Sequence, residues 1–190
     1  MSDRKAKITR STETSKVKLA LDLDGAGRGS AETGIPFLDQ MLLLLARQGG
    51  FNLEVHCACR GGDPGEAAEA VAFCLGLALE RALGDRKGIA RGGHAYAAVE
   101  EHLARAVVEF SGHPCLVYRV GASVPAAFGI DSRAVEDFWR TFVSQARLTL
   151  HLELLYGGDG MPSYEAIFKA AARALSQACA LPGSRRTVGE

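Results

Sequence analysis

The sequence predicts an α+β fold built from two similar halves, each with a sheet packed on two helices. Strand-like and helix-like apolar periodicities alternate along the 190 residues. A pattern also recurs: Leu-x-x-His, then Gly-Gly-Asp, then a Glu six residues later, starting at Leu53 and again at Leu148. Each copy precedes a predicted helix, which favours a duplicated unit over a doubly wound sheet.

The individual elements follow from apolar spacing and from residues that begin or end helices. The predicted strands are 17–23, 51–59, 103–110, 115–119 and 148–154, and the predicted helices are 37–46, 66–83, 132–147 and 162–179. Asp131 is expected to cap the third helix. The glycines from Gly88 to Gly93 predict a broken loop.

Composition limits the class of protein. The chain has 22 Lys+Arg and 22 Asp+Glu, so it lacks the cationic excess of a nucleic-acid-binding protein. Its length predicts one domain, with halves at about residues 1–90 and 91–190. No apolar run approaches the roughly 20 residues of a membrane span, and the N-terminus has no apolar signal core. The five cysteines are expected to be reduced and mostly buried, so the expected location is cytoplasmic.

A series of segments, in order and at the right spacing, resembles the imidazole glycerol phosphate dehydratase family of histidine biosynthesis. The matching segments are Arg10-x-Thr12, 23–25, 33–42, 50–53, 82–91, 110–114, 149–151, 165–170 and 172–175. The resemblance implies a lyase with a duplicated, ribosomal protein S5 domain 2-like fold. It also implies a large symmetric homo-oligomer, a small phosphorylated ligand, and two manganese ions per site between subunits.

The resemblance further implies where metal ligands should lie: an Asp-His-Met segment, two His-His-x-x-Glu motifs at helix starts, and a strand histidine. Residues at i, i+3 and i+4 share a helix face, so both imidazoles of such a motif lie above its carboxylate. Here the matching positions keep only Glu69, His151 and Glu165. The others hold Gln40, Gly65, Glu66, Met161 and Pro162. This set predicts that manganese is absent or weakly bound.

The anion half of the family site is better preserved. Positions that bind the substrate phosphate in the family match Arg91, His113, Lys169, Ser184 and Arg185. A charge-assisted hydrogen bond contributes roughly 1.5–3 kcal/mol, so three cations would suffice to hold a phosphate. Glu165 is the candidate catalytic base.

Each candidate also has a purely structural interpretation. His151 lies on an apolar strand, where a core histidine is favoured over a ligand. Glu69 and Glu165 are placed in first helical turns, where the helix dipole favours a carboxylate. Lys169 is four residues after Glu165, the spacing of an ordinary ion pair. Arg91, between glycines, is equally a solvated loop charge.

Two other clusters have the same ambiguity. His56-Cys57-x-Cys59 suggests a soft metal site, but a strand places His56 and Cys57 on opposite faces, which favours a buried core. Glu100 and Glu101 match an Asp-Glu pair of the family, and beside His102 they are equally surface acids.

Three functions therefore stay open. The first is a working hydro-lyase that removes water from D-erythro-imidazole-glycerol phosphate to give imidazole-acetol phosphate. The second is a catalytically inactive paralogue that keeps the fold and the assembly, with or without an active dehydratase as partner. The third is a phosphate-ligand binder, or an enzyme of other chemistry, that reuses the anion pocket. The replaced ligands favour impaired or absent dehydration.

Overall fold

The computed structural model of the chain describes residues 4–60, 62–124 and 128–182. The first four strands are β1 (Lys5–Ser11), β2 (Ser15–Asp22), β3 (Gly29–Glu32) and β4 (Asn52–Cys59). The last four are β5 (Gly92–Val99), β6 (His102–Glu109), β7 (Cys115–Arg119) and β8 (Thr149–Tyr156). The helices are α1 (Pro36–Gly49), α2 (Pro64–Leu83), α3 (Ser132–Ala146) and α4 (Met161–Ala178).

The two sheets have the same topology. Their spatial orders are β1-β2-β4-β3 and β5-β6-β8-β7. In each sheet two neighbouring pairs are antiparallel and the third, β3 with β4 or β7 with β8, is parallel. The predicted fold class, α+β with duplicated halves that each contribute a sheet and two helices, is confirmed.

The four helices lie between the sheets. Helices α1 and α2 pack on the first sheet and α3 and α4 on the second, while α1 contacts α4 and α2 contacts α3. Phe37 of α1 and Phe168 of α4 meet at this junction with ring centroids 6.5 Å apart, and both are fully buried. One continuous core therefore joins the halves, and each sheet keeps an outer face with exposed side chains.

Local sequence signals explain where two of the helices begin. Asp131 caps α3 as predicted, its carboxylate accepting a hydrogen bond of 2.7 Å from the Ala134 amide. Asp63 caps α2 in the same way through the Gly65 amide, and Pro64 fits the first turn of that helix. Helix α2 therefore begins two residues before the predicted start at residue 66.

The strands β1, β3 and β5 were not predicted. All three are edge strands; β1 and β3 carry few apolar residues, and the two glycines that begin β5 are typical of a loop. The loop predicted from Gly88 to Gly93 ends two residues earlier than predicted, because Gly92 and Gly93 begin β5. A Cβ at Gly93 would lie 2.1 Å from the Ala174 carbonyl oxygen, so the glycine lets β5 approach α4 closely.

The cysteines lie mostly inside, as expected. Cys57, Cys74 and Cys179 are buried and Cys59 is half-buried, whereas Cys115 is exposed. Strand β4 places Cys57 inward and His56 outward, with the His56 Nδ1 atom 3.3 Å from a Glu32 carboxylate oxygen. His56 and Cys57 therefore lie on opposite faces of β4 and cannot bind the same metal ion. Among the helices of the described ranges, none combines the length and the apolar character needed to cross a membrane.

Candidate functional site

The N-terminal part of α4 meets α1 at a contact between two side chains. Gln40 Nε2 donates a hydrogen bond of 3.0 Å to Glu165 Oε1. Gln40 is exposed and Glu165 is half-buried. Both residues line an open cavity of about 510 Å³, together with Gly27, Gly29, Leu43, Leu44 and Arg47. This cavity contains the predicted catalytic carboxylate and one cation, Arg47.

Arg47 was not among the predicted site residues. It lies seven positions after Gln40 on α1, two helical turns along the same face, and this spacing is the signal that could have found it. Its guanidinium supplies positive charge to a cavity whose other charged lining residue is Glu165. The cavity can therefore accommodate a small ligand with both an anionic group and a proton donor.

The structural interpretations of Glu69 and Glu165 need correction. Helices α2 and α4 begin at Pro64 and Met161, so both carboxylates lie in the second turn, where the effect of the helix dipole has fallen off. Within the described ranges no ion pair joins Glu165 to Lys169, and the hydrogen-bonding partner of Glu165 is Gln40. Neither dipole nor pairing accounts for these acids.

The interpretation of His151 as a core histidine is wrong. His151 is exposed, between the buried Leu150 and Leu152 of β8. It lies on the outer face of the second sheet, in a depression of about 210 Å³ that also includes Arg105 and Arg119. Helix α4 packs on the inner face of the same sheet, so the sheet separates His151 from Glu165 within one chain.

Glu69 is exposed on α2, and in the part of the chain that is described it joins neither His151 nor Glu165 in a cluster of metal-ligand atoms. One chain therefore does not bring the three remaining metal-ligand positions together. A site shared between subunits, as the resemblance implies, would require such a separation.

The candidate phosphate residues lie in two places. Arg91 and His113 lie at the same end of the second sheet, where the Arg91 carbonyl accepts a hydrogen bond from the Phe110 amide and His113 is in the turn before β7. The Arg91 amide also donates to the Ala178 carbonyl at 3.0 Å, so a hydrogen bond fixes its backbone although the residue lies in the loop before β5 and is exposed, as predicted.

Lys169 is half-buried in the middle of α4, nine residues before Ala178, or roughly 14 Å along the helix axis. The backbone of Lys169 therefore lies well away from the end of the sheet that carries Arg91 and His113. Ser184 and Arg185 lie outside the described residues.

The fold and the site can now be compared with known proteins. A family model described as imidazoleglycerol-phosphate dehydratase matches residues 33–175. This chain belongs to the imidazoleglycerol-phosphate dehydratase family. The predicted resemblance is confirmed, and the family is one of lyases of histidine biosynthesis.

Relatives match this dehydratase-family chain over almost its whole length. It is 43% identical over 181 residues to the imidazoleglycerol-phosphate dehydratase of Heliobacterium modesticaldum, covering 94% of this chain and 92% of that relative. It is 39% identical over 184 residues to the one from Pseudomonas aeruginosa, covering 95% and 92%. The crystal structure of the Staphylococcus aureus imidazoleglycerol-phosphate dehydratase superposes with a TM-score of 0.83 at 32% identity, covering 93% of this chain and 99% of that one.

The residues at the family's metal positions do not fit two manganese ions. Gln40 presents an amide N–H to Glu165. Where the resemblance implies an imidazole ligand beside the Glu165 carboxylate, this chain therefore has a hydrogen-bond donor to that carboxylate. Met161 and Pro162 form the first turn of α4 and offer a thioether and no donor atom, respectively. Thioether sulfur is a soft ligand, unsuited to manganese. His151 is the one imidazole among these positions.

Proposed function

We propose that this chain belongs to the histidine pathway of its family and has lost most or all of the dehydration step. In this proposal it keeps the scaffold and the affinity for a small phosphorylated ligand of the D-erythro-imidazole-glycerol phosphate type. Conversion of that ligand to imidazole-acetol phosphate is strongly reduced. The observation that carries the proposal is the hydrogen bond from Gln40 to Glu165 at a position where the family's metals need an imidazole.

The chemistry explains why this replacement matters. In the family, the metals supply Lewis acidity to the imidazole ring of the substrate. Glu165 can still accept a proton, but one of its oxygens already accepts the Gln40 hydrogen bond. Arg47 and Lys169 can still attract an anionic group, because charge attraction does not depend on the lost imidazoles. We therefore expect this chain to bind the phosphorylated ligand but to dehydrate it slowly or not at all.

A second candidate is a fully active dehydratase. The observation that favours it is 43% identity over 94% of the chain, which shows that the scaffold is intact. Activity would then need manganese held through Glu69, Glu165, His151 and carboxylate or amide substitutes at Glu66 and Gln40. Carboxylate and amide oxygens do bind manganese, so the two candidates differ in a quantity that can be measured, the manganese content.

We further propose the family's cellular setting for this chain: the cytoplasm, a large symmetric homo-oligomer, and no nucleic-acid or membrane partner. The neutral formal charge, with 22 basic and 22 acidic residues, supports the absence of a nucleic-acid partner. The separation of the remaining metal positions within one chain supports a site completed by a second copy. Co-assembly with an active dehydratase is part of the inactive alternative.

The deciding experiment measures metal and rate on the same preparation. The full chain and the Pseudomonas aeruginosa relative are purified from manganese-supplemented cells, and manganese per chain is determined by mass spectrometry. Dehydration of D-erythro-imidazole-glycerol phosphate is then assayed for both. We expect a rate at least about a hundredfold below that of the relative, because Lewis-acid stabilisation is worth several kcal/mol. A smaller difference, or nearly two manganese ions per chain, would overturn the proposal.

A further inference from the structure

The hairpin between β5 and β6 carries a cluster of three potential metal ligands outside the family site. Val99 pairs with His102, and Glu100 and Glu101 form the two-residue connection between them. One oxygen from each carboxylate and one imidazole nitrogen of His102 lie within 4.8 Å of one another. Two ligands of one ion with bonds of about 2.0–2.2 Å lie at most about 4.4 Å apart, so small rotations of the two exposed glutamate side chains would bring all three atoms into range of one ion.

His102 is the member that distinguishes this cluster from ordinary surface acids. It is only 6% exposed, and its Nδ1 atom has no hydrogen-bond partner in the described part of the chain. A buried polar nitrogen without a partner carries a desolvation cost that hydrogen bonding or metal binding removes. The buried imidazole therefore needs a partner, and its neighbours in the cluster are two carboxylates.

Gly157, directly after β8, leaves room for the ring. A Cβ on Gly157 would lie 2.4 Å from His102 Cδ2, so only the glycine allows the imidazole to occupy this position. The φ of Gly157 is +139°, which other residues adopt with strain. The imidazole therefore occupies the space that a side chain at position 157 would take.

The two carboxylates lack compensating charge. Glu100 and Glu101 are exposed, and neither forms an ion pair with a lysine or arginine among the residues that the structure describes. The nearest arginine on β6, Arg105, is paired with Glu153 on β8. Adjacent carboxylates repel each other, and a divalent cation removes this repulsion.

We propose that Glu100, Glu101 and His102 bind one divalent transition-metal ion of the zinc type. One imidazole and two carboxylates make a mixed nitrogen and oxygen donor set, which suits zinc or cobalt better than calcium or magnesium. Three protein ligands leave at least one coordination position for water or for a group from a ligand or partner. The site does not rest on the proposed function, because none of its residues belongs to the family's metal positions.

The test uses Co²⁺ as an optical probe with the full chain. We expect one Co²⁺ per chain by isothermal titration, with weak d–d bands and no intense thiolate-to-cobalt band, which excludes the five cysteines as ligands. The double variant Glu100→Gln and Glu101→Gln changes only exposed side chains, so it should fold. It should weaken Co²⁺ binding by at least about tenfold, because loss of a direct ligand should cost no less than loss of a residue that only hydrogen-bonds to a ligand.

The matched control is Glu109→Gln, an exposed carboxylate at the opposite end of β6, which should keep the wild-type affinity. His102→Gln should weaken binding to a similar extent, and circular dichroism will show whether this buried variant folds. The proposal is overturned if the wild-type chain binds no Co²⁺, if the double variant binds as tightly as the wild type, or if a thiolate band dominates the spectrum.

Discussion

Gln40 and Glu165 are 125 residues apart in the sequence, yet a hydrogen bond of 3.0 Å from Gln40 Nε2 to Glu165 Oε1 joins them. One comes from α1 in the first half of the fold and the other from α4 in the second. The contact between α1 and α4 thus brings together two positions that match the family's metal ligands. The structure thus holds an amide against Glu165 at a position where the family resemblance implies an imidazole.

Restoring the imidazoles should restore manganese binding. The variant carries five substitutions: Gln40→His, Gly65→His, Glu66→His, Met161→His and Pro162→His. A Cβ at Gly65 would be 3.3 Å from Asp63 Oδ1, so the new side chain needs only a small adjustment of the cap. We expect manganese content to rise toward two ions per chain, measured by mass spectrometry, because imidazole and carboxylate together suit this ion.

The control is the same variant with five substitutions and, in addition, Glu165→Gln. Removing the carboxylate should lower the manganese content again, since an uncharged amide is a weaker ligand than a carboxylate. If the restored variant folds by circular dichroism and still binds no manganese, the five replaced side chains do not control manganese binding in this chain.

Gly76 is expected to be intolerant of a side chain. It lies on α2 where that helix meets α3, and a Cβ would be 2.5 Å from the Phe142 carbonyl oxygen. Gly76→Ala should lower the free energy of unfolding by about 1–3 kcal/mol, because overpacking exceeds the gain in helix propensity. Gly158→Ala, with nothing within 4 Å of its Cβ, should change it by less than about 0.5 kcal/mol. Urea unfolding measures both, and equal effects would contradict the close approach.

Lys169 should contribute to binding of a phosphate ester. In a thermal-shift titration with glycerol phosphate, the full chain should be stabilised. Lys169→Ala should weaken the affinity by about tenfold or more, as expected for one charge-assisted hydrogen bond. Lys16→Ala, an exposed lysine of β2, should leave the affinity unchanged. Absence of any shift, or an equal shift in Lys169→Ala, would remove Lys169 from the anion site.

Alkaline pH should destabilise the fold through its buried thiols. Burial raises the pKa of the Cys74 thiol from 9.0 to about 11, and burial also raises the pKa of the Cys57 thiol. Above pH 9.0 the unfolded chain loses the Cys74 proton first, so the free energy of unfolding falls as pH rises toward 11. The slope for one thiol approaches about 1.4 kcal/mol per pH unit. Urea unfolding of Cys74→Ala should show a smaller slope, and Cys115→Ala, at an exposed thiol, the wild-type slope.

Much of the fold was predictable because burial leaves a periodic pattern. The Asp131 cap follows from side-chain chemistry within one helical turn, and the apolar runs of α1 and β4 reflect their packed faces. Edge strands such as β3 escaped prediction because exposed side chains have no such constraint. The family was predictable for a different reason: many short segments match it in order and spacing.

The sequence by itself determined the duplicated α+β fold, the family, and the residue types that stand at the metal positions, since all of these are properties of local pattern and identity. Only the tertiary structure decided that His151 faces outward, that Gln40 donates to Glu165, and that His102 is buried beside two carboxylates with its Nδ1 atom unpartnered among the described residues. Those facts depend on which face of a strand is covered and on which helices touch. Such contacts arise between residues far apart in the chain, and local periodicity does not record them.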